Sequence, residues 1–433
     1  TTADANTVVG HGAGTTITTG GSNTLIGYIA GDNIIGGSKN VCVGSESANA
    51  LTSGVNNVFI GTEAGAACTS ASYSIFIGTN TGDGHDTESN NLAIGQDALG
   101  GSINGGEYNV AVGRLSLSGL TTADSCTAVG YNAGASKTSG NHGTFIGWNA
   151  GTLCTTGNDV TFVGSEAGDG HDTESYNTGI GSGALGGAIA GGEYNVAVGA
   201  YTLDAVTSGD SNVGVGYEAG TAIQGGGGNV CVGPQSGGAI VGGNHNIMIG
   251  NQAGNYDGAD LASGSSNMCI GNFTKTSATD SNYQYVLGYY ITGGEDNEVA
   301  IGKTSNVIRC QFDTDATWTR DSDKRKKKNI KPDVLGLDFV NDLNTVTFNW
   351  RPNSEFPKEW DDYKEENDMN LDATMHGMLA QDVKAALDKA GVDTFGGWRL
   401  NRDGSQRLSN DMFVFPLIKA VQELSAEVTT LKQ

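Results

Sequence analysis

Positive charge is nearly absent from the first three quarters of this chain. Residues 1–319 of the 433 hold only 6 Lys and Arg against 27 Asp and Glu, a net charge of −21, whereas residues 320–433 hold 17 against 20. A surface this acidic repels nucleic acid and anionic membranes along its length. The composition therefore argues against both as partners and divides the chain into two unlike parts near residue 320.

Proline, paired cysteines and long apolar runs are also scarce or missing. Only 5 prolines accompany 69 glycines, which argues against collagen and against a Pro/Gly linker. The 7 cysteines are odd in number and form no CxxC pair, so they predict small buried apolar residues rather than a zinc site or a disulfide framework. No apolar run is long enough to predict a transmembrane helix, and no metal or other cofactor is predicted. Because the sequence starts without Met, we expect a preceding segment in the natural protein.

What the first part does contain is a repeat of about 17 residues over positions 1–302. Short strands such as "NVFIG", "NVAVG" and "NIMIG" each end in glycine. Two intervals of 18 interrupt the period, and it loosens near the end. The closing glycines are Gly10, Gly27, Gly44, Gly61, Gly78, Gly95, Gly113, Gly130, Gly147, Gly164, Gly181, Gly199, Gly216, Gly233, Gly250, Gly271, Gly288 and Gly302.

The positions within each repeat predict a β-solenoid or β-roll. Val or Ile nearly always precedes the glycine, as in Val43 and Ile60, and the residue before that, such as Cys42 or Phe59, faces the other way and is mostly apolar too. One 17-residue coil cannot bury a core alone, but stacked coils can, each adding a strand pair. Because both strand faces are apolar, we expect three such rolls to share an axis, with a monomeric solenoid as the alternative.

This pattern resembles the head repeats of trimeric autotransporter adhesins and, still more, the "NTAIGYxAG" repeats of bacteriophage tail fibres. The adhesin repeat is shorter than 17 residues, so its geometry transfers only loosely. The resemblance implies a trimeric shaft over residues 1–303.

An acidic motif, "GDGHDTES", occurs twice, from Gly82 and again from Gly168. Its carboxylates could hold a hard cation such as calcium, but the sequence favours an acidic solvated loop. The carboxylates are Asp83, Asp86, Glu88, Asp169, Asp172 and Glu174.

The second part opens on a basic run, "TRDSDKRKKKNIKP", residues 319–332. No aromatic platform accompanies it, which argues against nucleic acid binding, while a solvated loop remains an alternative. "SDKRKKKNI" resembles the "SDxRxKxxI" signature that opens the intramolecular chaperone of phage endosialidases, tail spikes and tail fibres. "HGMLAQDV" and "PLIKAVQELSAEVTTLKQ" resemble the helix start and the coiled-coil tail of the same family. The resemblance implies a neck over residues 304–321 and an α+β chaperone over residues 322–433.

The same resemblance implies a single self-cleavage between Asp321 and Ser322 by a Ser-Lys dyad of Ser322 and Lys327, so the expected enzyme activity is this autoproteolysis, without turnover. Asp323 and Arg325 match the signature and are expected to shape the site. A neutral lysine can take the proton of a serine hydroxyl, and neighbouring cations favour its neutral form. Lys326 stands where the family is usually apolar and is a rival base.

The C-terminal residues predict how three repetitive chains find one register. Similar coils can pair wrongly, so a terminal module that trimerises first would set the alignment. A coiled-coil seam with 3-4-3-4-3 spacing predicts such a module, with a surface helix as the alternative. The seam residues are Val414, Leu417, Val421, Leu424, Val428 and Leu431.

Together these features predict a homotrimeric tail fibre or tail spike of the virion tail, assembled in the bacterial host cytoplasm. Its expected partners are a host cell-surface receptor, a glycan or an outer-membrane component, and other tail proteins, with no insertion into a membrane. A glycan-degrading tail spike enzyme and a bacterial trimeric surface adhesin are the alternatives.

Overall fold

The protein consists of two compact units, Thr1–Asp321 and Ser322–Gln433. The computed structural model describes residues 3–256, 261–304, 306–312, 322–360, 363–367 and 371–432, together with the backbone of residues 315–320. Each unit is described by itself below.

The first unit is a β-solenoid in which eighteen strands stack in parallel and in register, as the repeat predicts. At the end of the stack β19 and β20 add two antiparallel strands. The strands are β1 (Thr7–Val9), β2 (Thr24–Ile26), β3 (Val41–Val43), β4 (Val58–Ile60), β5 (Ile75–Ile77), β6 (Leu92–Ile94), β7 (Val110–Val112), β8 (Thr127–Val129), β9 (Thr144–Ile146), β10 (Thr161–Val163), β11 (Thr178–Ile180), β12 (Val196–Val198), β13 (Val213–Val215), β14 (Val230–Val232), β15 (Ile247–Ile249), β16 (Met268–Ile270), β17 (Tyr285–Tyr289), β18 (Glu298–Lys303), β19 (Asn306–Gln311) and β20 (Asp315–Arg320).

The expected strand pair per coil is wrong: along the regular stack each turn contributes one strand of three residues. The rest of the turn is built from bends that need left-handed backbone, at side-chain positions such as Asn56 (φ 60°) and Tyr73 (φ 59°) as well as at glycines. The 17-residue period is therefore spent mainly on corners.

The closing glycines are required by close approach between turns. At Gly44 φ is +140°, and a Cβ placed there would lie 2.2 Å from the carbonyl oxygen of Gly61 in the next turn. At Gly147 the corresponding distance to the carbonyl of Gly164 is 2.3 Å. Any side chain at these corners would force the turns apart.

The middle residue of each strand forms the core, and its two neighbours face outward. Phe59, Phe76 and Phe145 are fully buried, whereas the flanking Ile60 and Ile146 remain 37% and 39% exposed. All seven cysteines are buried and free, consistent with their interpretation as small apolar residues. The solenoid thus has a complete interior and, in a single chain, an uncovered apolar outer face.

An asparagine ladder lines the inside next to the strands. The Nδ2 of Asn40 donates to the Gly54 carbonyl at 2.8 Å, and its Oδ1 accepts the backbone N–H of Asn57 at 3.0 Å. Each rung satisfies buried backbone groups that a corner would otherwise leave unpaired. The rungs with this Nδ2 contact are Asn23, Asn40, Asn57, Asn91, Asn109, Asn177, Asn195, Asn212, Asn229, Asn246 and Asn267.

The ladder is interrupted in the middle of the solenoid, where Cys126, Gly143 and Val160 replace asparagine. A Cβ at Gly143 would lie 2.6 Å from the Phe145 ring, so the ring takes the place of a side chain there. The fully buried Lys137 then donates through Nζ to the Gly157 carbonyl, the group that an asparagine at position 143 would reach. A lysine from the neighbouring column therefore replaces one missing rung.

The second unit is small and α+β, ending in a helix, as predicted. Its core consists of Leu335, Phe339, Val383, Ala386 and Leu387. Its elements are α1 (Leu337–Asn341), β21 (Thr345–Phe348), β22 (Met375–Met378), α2 (Ala380–Lys389), β23 (Trp398–Leu400), β24 (Gln406–Leu408) and α3 (Val414–Leu431). Within the described residues no helix is long and apolar enough to cross a membrane.

Helix α3 docks on α1 and leaves its heptad seam uncovered. Glu423 accepts the backbone N–H of Leu337 at 2.7 Å, and Pro416 and Ala420 are its buried residues. By contrast, all six predicted seam residues are exposed, from 41% at Val428 to 86% at Leu431. The structure shows one chain, in which this seam has no apolar cover.

Candidate functional site

The basic run begins with a short turn built around an acidic cap. Asp323 precedes a single 3₁₀ turn, Lys324–Lys326, and accepts the backbone N–H of Arg325 at 2.8 Å. The Arg325 guanidinium also grips the same carboxylate, with Nη2 2.6 Å from Oδ2. These bonds with Arg325 lower the pKa of Asp323 below its usual value. The turn is held in shape by its own signature residues.

The turn brings a lysine back to the serine at its start. The Nζ of Lys327 donates to the Oγ of Ser322 at 2.6 Å, across five residues of chain, and both residues are exposed. Lys327 closes the turn through its backbone N–H, which donates to the carbonyl of Lys324. A hydroxyl and an amine at this distance have the geometry for proton transfer.

The structure distinguishes the two candidate lysines by geometry. It shows the Ser322 contact for Lys327, whereas Lys326 donates its backbone N–H to the Asp323 carbonyl at 3.0 Å. The positive charge of Lys326 also contributes to lowering the pKa of Asp323, after the bonds from Arg325. Asp321, the other side of the expected cleavage bond, lies outside the described residues.

His376 stands apart from this turn. It was expected at a helix start, but it lies within β22, opposite Thr347, and the helix begins later, at Ala380. It lines a separate surface cavity of about 600 Å³ together with Phe348 and Trp350.

The duplicated acidic motif has a structural use that the sequence interpretation missed. Glu88 is 4% exposed; its Oε2 accepts the backbone N–H groups of Asp86 and Thr87, each at 3.0 Å, and its Oε1 accepts that of Gly105, in the next turn, at 2.9 Å. Glu174 makes the same contact with Gly191 at 3.0 Å. Both next turns are the ones with 18 residues, so the motif accommodates the extra residue. That pairing of motif and interval was the available signal.

These contacts also bear on the expected solvated loop. Burial alone would raise the pKa of Glu88, but the backbone N–H groups outweigh it and the pKa is lowered. The carboxylate is therefore a buried acceptor of backbone hydrogen bonds. Within the described residues no cluster of three or more His, Cys, Asp or Glu side chains could hold a metal ion.

Glu88→Ala is expected to lower the free energy of unfolding by about 2–4 kcal/mol, because it leaves the three backbone N–H groups without their acceptor. Chemical denaturation of the purified protein measures this. Glu63→Ala, an exposed glutamate two turns away, is the matched control and should change stability little. Equal losses in the two variants would contradict the role given to Glu88.

The histidines of the same motif are buried without a polar partner. The His85 ring lies 4.9 Å from the Phe76 ring and that of His171 lies 4.6 Å from Phe162, and the ring nitrogens of both are unbonded in the structure. Burial lowers the pKa of both to about 4. Each imidazole is therefore neutral inside the solenoid at neutral pH.

Acidification is expected to weaken the solenoid at these two turns. A histidine with a lowered pKa binds its proton more readily when unfolded, so the free energy of unfolding falls as the pH drops below about 6.5, by about 2 kcal/mol per imidazole between about pH 7 and pH 5. Guanidinium unfolding at the two pH values measures this. Replacing both residues by leucine, as found in the same column at Leu120, should remove most of the loss.

Comparison with known proteins identifies the second unit by sequence. Residues 322–392 match the sequence model of a family described as the chaperone of endosialidase. No curated protein and no solved structure matches the chain. The family resemblance expected from "SDKRKKKNI" is thus confirmed for this segment. A chaperone of this type after a solenoid with 17 residues per turn fits a tail fibre or tail spike.

Proposed function

Because the chaperone-type segment directly follows the solenoid, we propose that the chain is a subunit of a homotrimeric bacteriophage tail fibre or tail spike that attaches the virion to its host. The second unit aligns three chains and is then released by cleavage between Asp321 and Ser322. The observation that carries this proposal is the match of residues 322–392, which starts at the serine that Lys327 contacts.

The proposed cleavage is a rearrangement of the peptide bond before Ser322. The Oγ of Ser322 attacks the carbonyl carbon of Asp321 while Lys327, in its neutral form, takes the hydroxyl proton. The C–N bond then breaks, an ester joins Asp321 to Oγ, and the proton passes to the departing amine of Ser322. Water hydrolyses the ester, which leaves a carboxylate on the solenoid and a free serine at the start of the chaperone.

Exposure of the pair suggests when this happens. Ser322 and Lys327 are both exposed in the single chain, and a lysine in water is protonated at neutral pH and so is no base. Burial or like charges brought together on assembly would favour its neutral form. We therefore expect cleavage to follow trimer formation.

Two uncovered apolar surfaces support self-association. The first is the outer strand face, where β-branched side chains such as Ile60, Ile146 and Ile249 are 37–39% exposed turn after turn. A patch of this length on a soluble protein marks an interaction surface. The second is the seam of α3, whose fewer than three heptads make a weak coiled coil that leans on the folded unit.

A denaturing gel beside a native mass tests the proposal. We expect two bands, with the smaller fragment beginning Ser-Asp-Lys, and a trimeric mass by light scattering. A monomer at micromolar concentration would contradict the assembly, and an uncut chain within a trimer would contradict self-cleavage alone. Incubation with host capsule polysaccharide, followed by measurement of chain length, separates attachment from glycan degradation.

A further inference from the structure

Three consecutive turns of the solenoid carry an unusual run on their outer surface. Arg114, Tyr131 and Trp148 each directly follow a closing glycine, so they occupy one column. Tyr131 is 38% exposed and Trp148 49% exposed, and Arg114 is exposed as well. With a rise of about 4.8 Å per turn, the run spans about 10 Å along the rod. It is bounded by small polar or amide residues, Gln96 before it and Ser165 after it.

Arg114 is held for an external anion. Its guanidinium carbon lies 5.8 Å from the centre of the Tyr131 ring, a cation–π distance. Within the described part of the chain it forms no ion pair with a carboxylate, unlike Arg309, which binds Glu298 at 2.6 Å. It is one of only six cations among residues 1–319. An unpaired guanidinium on such an acidic rod is a local exception in charge.

We propose that Arg114, Tyr131 and Trp148 form a binding site for a saccharide that carries a single carboxylate, of the hexuronic acid type. Aromatic faces pack against the C–H face of a pyranose ring, and a guanidinium pairs with a carboxylate through two parallel hydrogen bonds. The net charge of −21 around the site opposes a polyanion, so the favoured ligand is a mostly neutral glycan with one acidic sugar. This site rests on the proposed role in host attachment and names the receptor class.

Binding of matched oligosaccharides to the whole protein tests the site. The probes are a xylo-oligosaccharide bearing one glucuronic acid, the same oligosaccharide without it, and a polyuronate of equal length. Isothermal titration should show the singly charged probe binding at least about tenfold more tightly than either of the others. The variants are Arg114→Gln and Trp148→Ala, each expected to weaken binding about tenfold. Tyr217→Ala removes a 50% exposed aromatic residue from the same column and should leave binding unchanged.

The outcomes separate this site from the proposed function. Equal binding of the charged and neutral probes, or an equal loss in Tyr217→Ala, would overturn the site. So would a change of native mass in Trp148→Ala, because the column would then be a contact between copies of the chain. If the protein is trimeric and cleaved but binds none of the probes, the site fails while the fibre assignment stands. If the protein is neither trimeric nor cleaved, the fibre assignment fails whatever the probes show.

Discussion

Ser322→Ala is expected to leave the chain at full length on a denaturing gel, while native mass still shows a trimer. The substitution removes the Oγ that Lys327 contacts at 2.6 Å and leaves the backbone of the 3₁₀ turn unchanged. Without a nucleophile the peptide bond has only the uncatalysed rate, so the loss of cleavage should be complete on a laboratory timescale. Cleavage that persists at this bond would remove the dyad, and the basic run would then be a solvated loop.

The two lysines provide the matched pair for this experiment. Lys327→Met removes the only amine shown in contact with Ser322 and should also block cleavage. Lys326→Leu places an apolar residue where the family usually has one and should leave cleavage intact or quicken it. The opposite pattern would assign the base to Lys326. Arg325→Lys should slow cleavage without abolishing it, because one ammonium cannot reproduce the two-pronged grip on Asp323.

A chain that ends at Asp321 is expected to aggregate when expressed. Nearly identical turns can pair in many registers, and the outer apolar face would be exposed throughout the search. The same residues released by cleavage from the full chain should remain trimeric and resist heat and protease, because unfolding then has to break the whole assembly. Soluble yield, native mass and protease resistance of the two preparations measure the difference.

The comparison of the two preparations is what gives this experiment its force. Both contain the same polypeptide, so a difference between them reports the folding route and not the final stability. The uncut Ser322→Ala trimer is the control for any effect of cleavage itself. If the truncated chain yields the same soluble trimer as the cleaved one, the register argument is wrong.

The period of the sequence was enough to predict the solenoid, because the closing glycine and the residue before it repeat without a gap. It was not enough to predict the shape of each turn. Left-handed backbone at ordinary residues such as Tyr73 depends on hydrogen bonds from neighbouring turns, which one repeat does not reveal. A second ladder on the outer side, in which Asn141 Oδ1 accepts the Asp124 N–H at 2.9 Å, escaped notice because its residue type varies from turn to turn.

The candidate site was predictable in part for a different reason. The spacing of Ser322 and Lys327 came from a family signature, and only the geometry of the turn shows that an interval of five residues brings the two side chains together. The role of Lys137 was out of reach, because its partner Gly157 lies one turn further along and no local pattern marks the missing asparagine rung. Contacts between turns are set by stacking, which the order of residues within one repeat does not express.

The close approach at the closing glycines has a consequence for how such a rod diversifies. A Cβ at Gly44 would lie 2.2 Å from the backbone of the next turn, so this position tolerates no substitution. The very next position has no such restraint and carries Tyr28, Ser45, Arg114 and Trp148 in different turns of this one chain. Mutation can therefore rewrite the outer columns one turn at a time while the frame stays fixed. A lineage under pressure to recognise new hosts would find most of its neutral variation already on the surface that meets them.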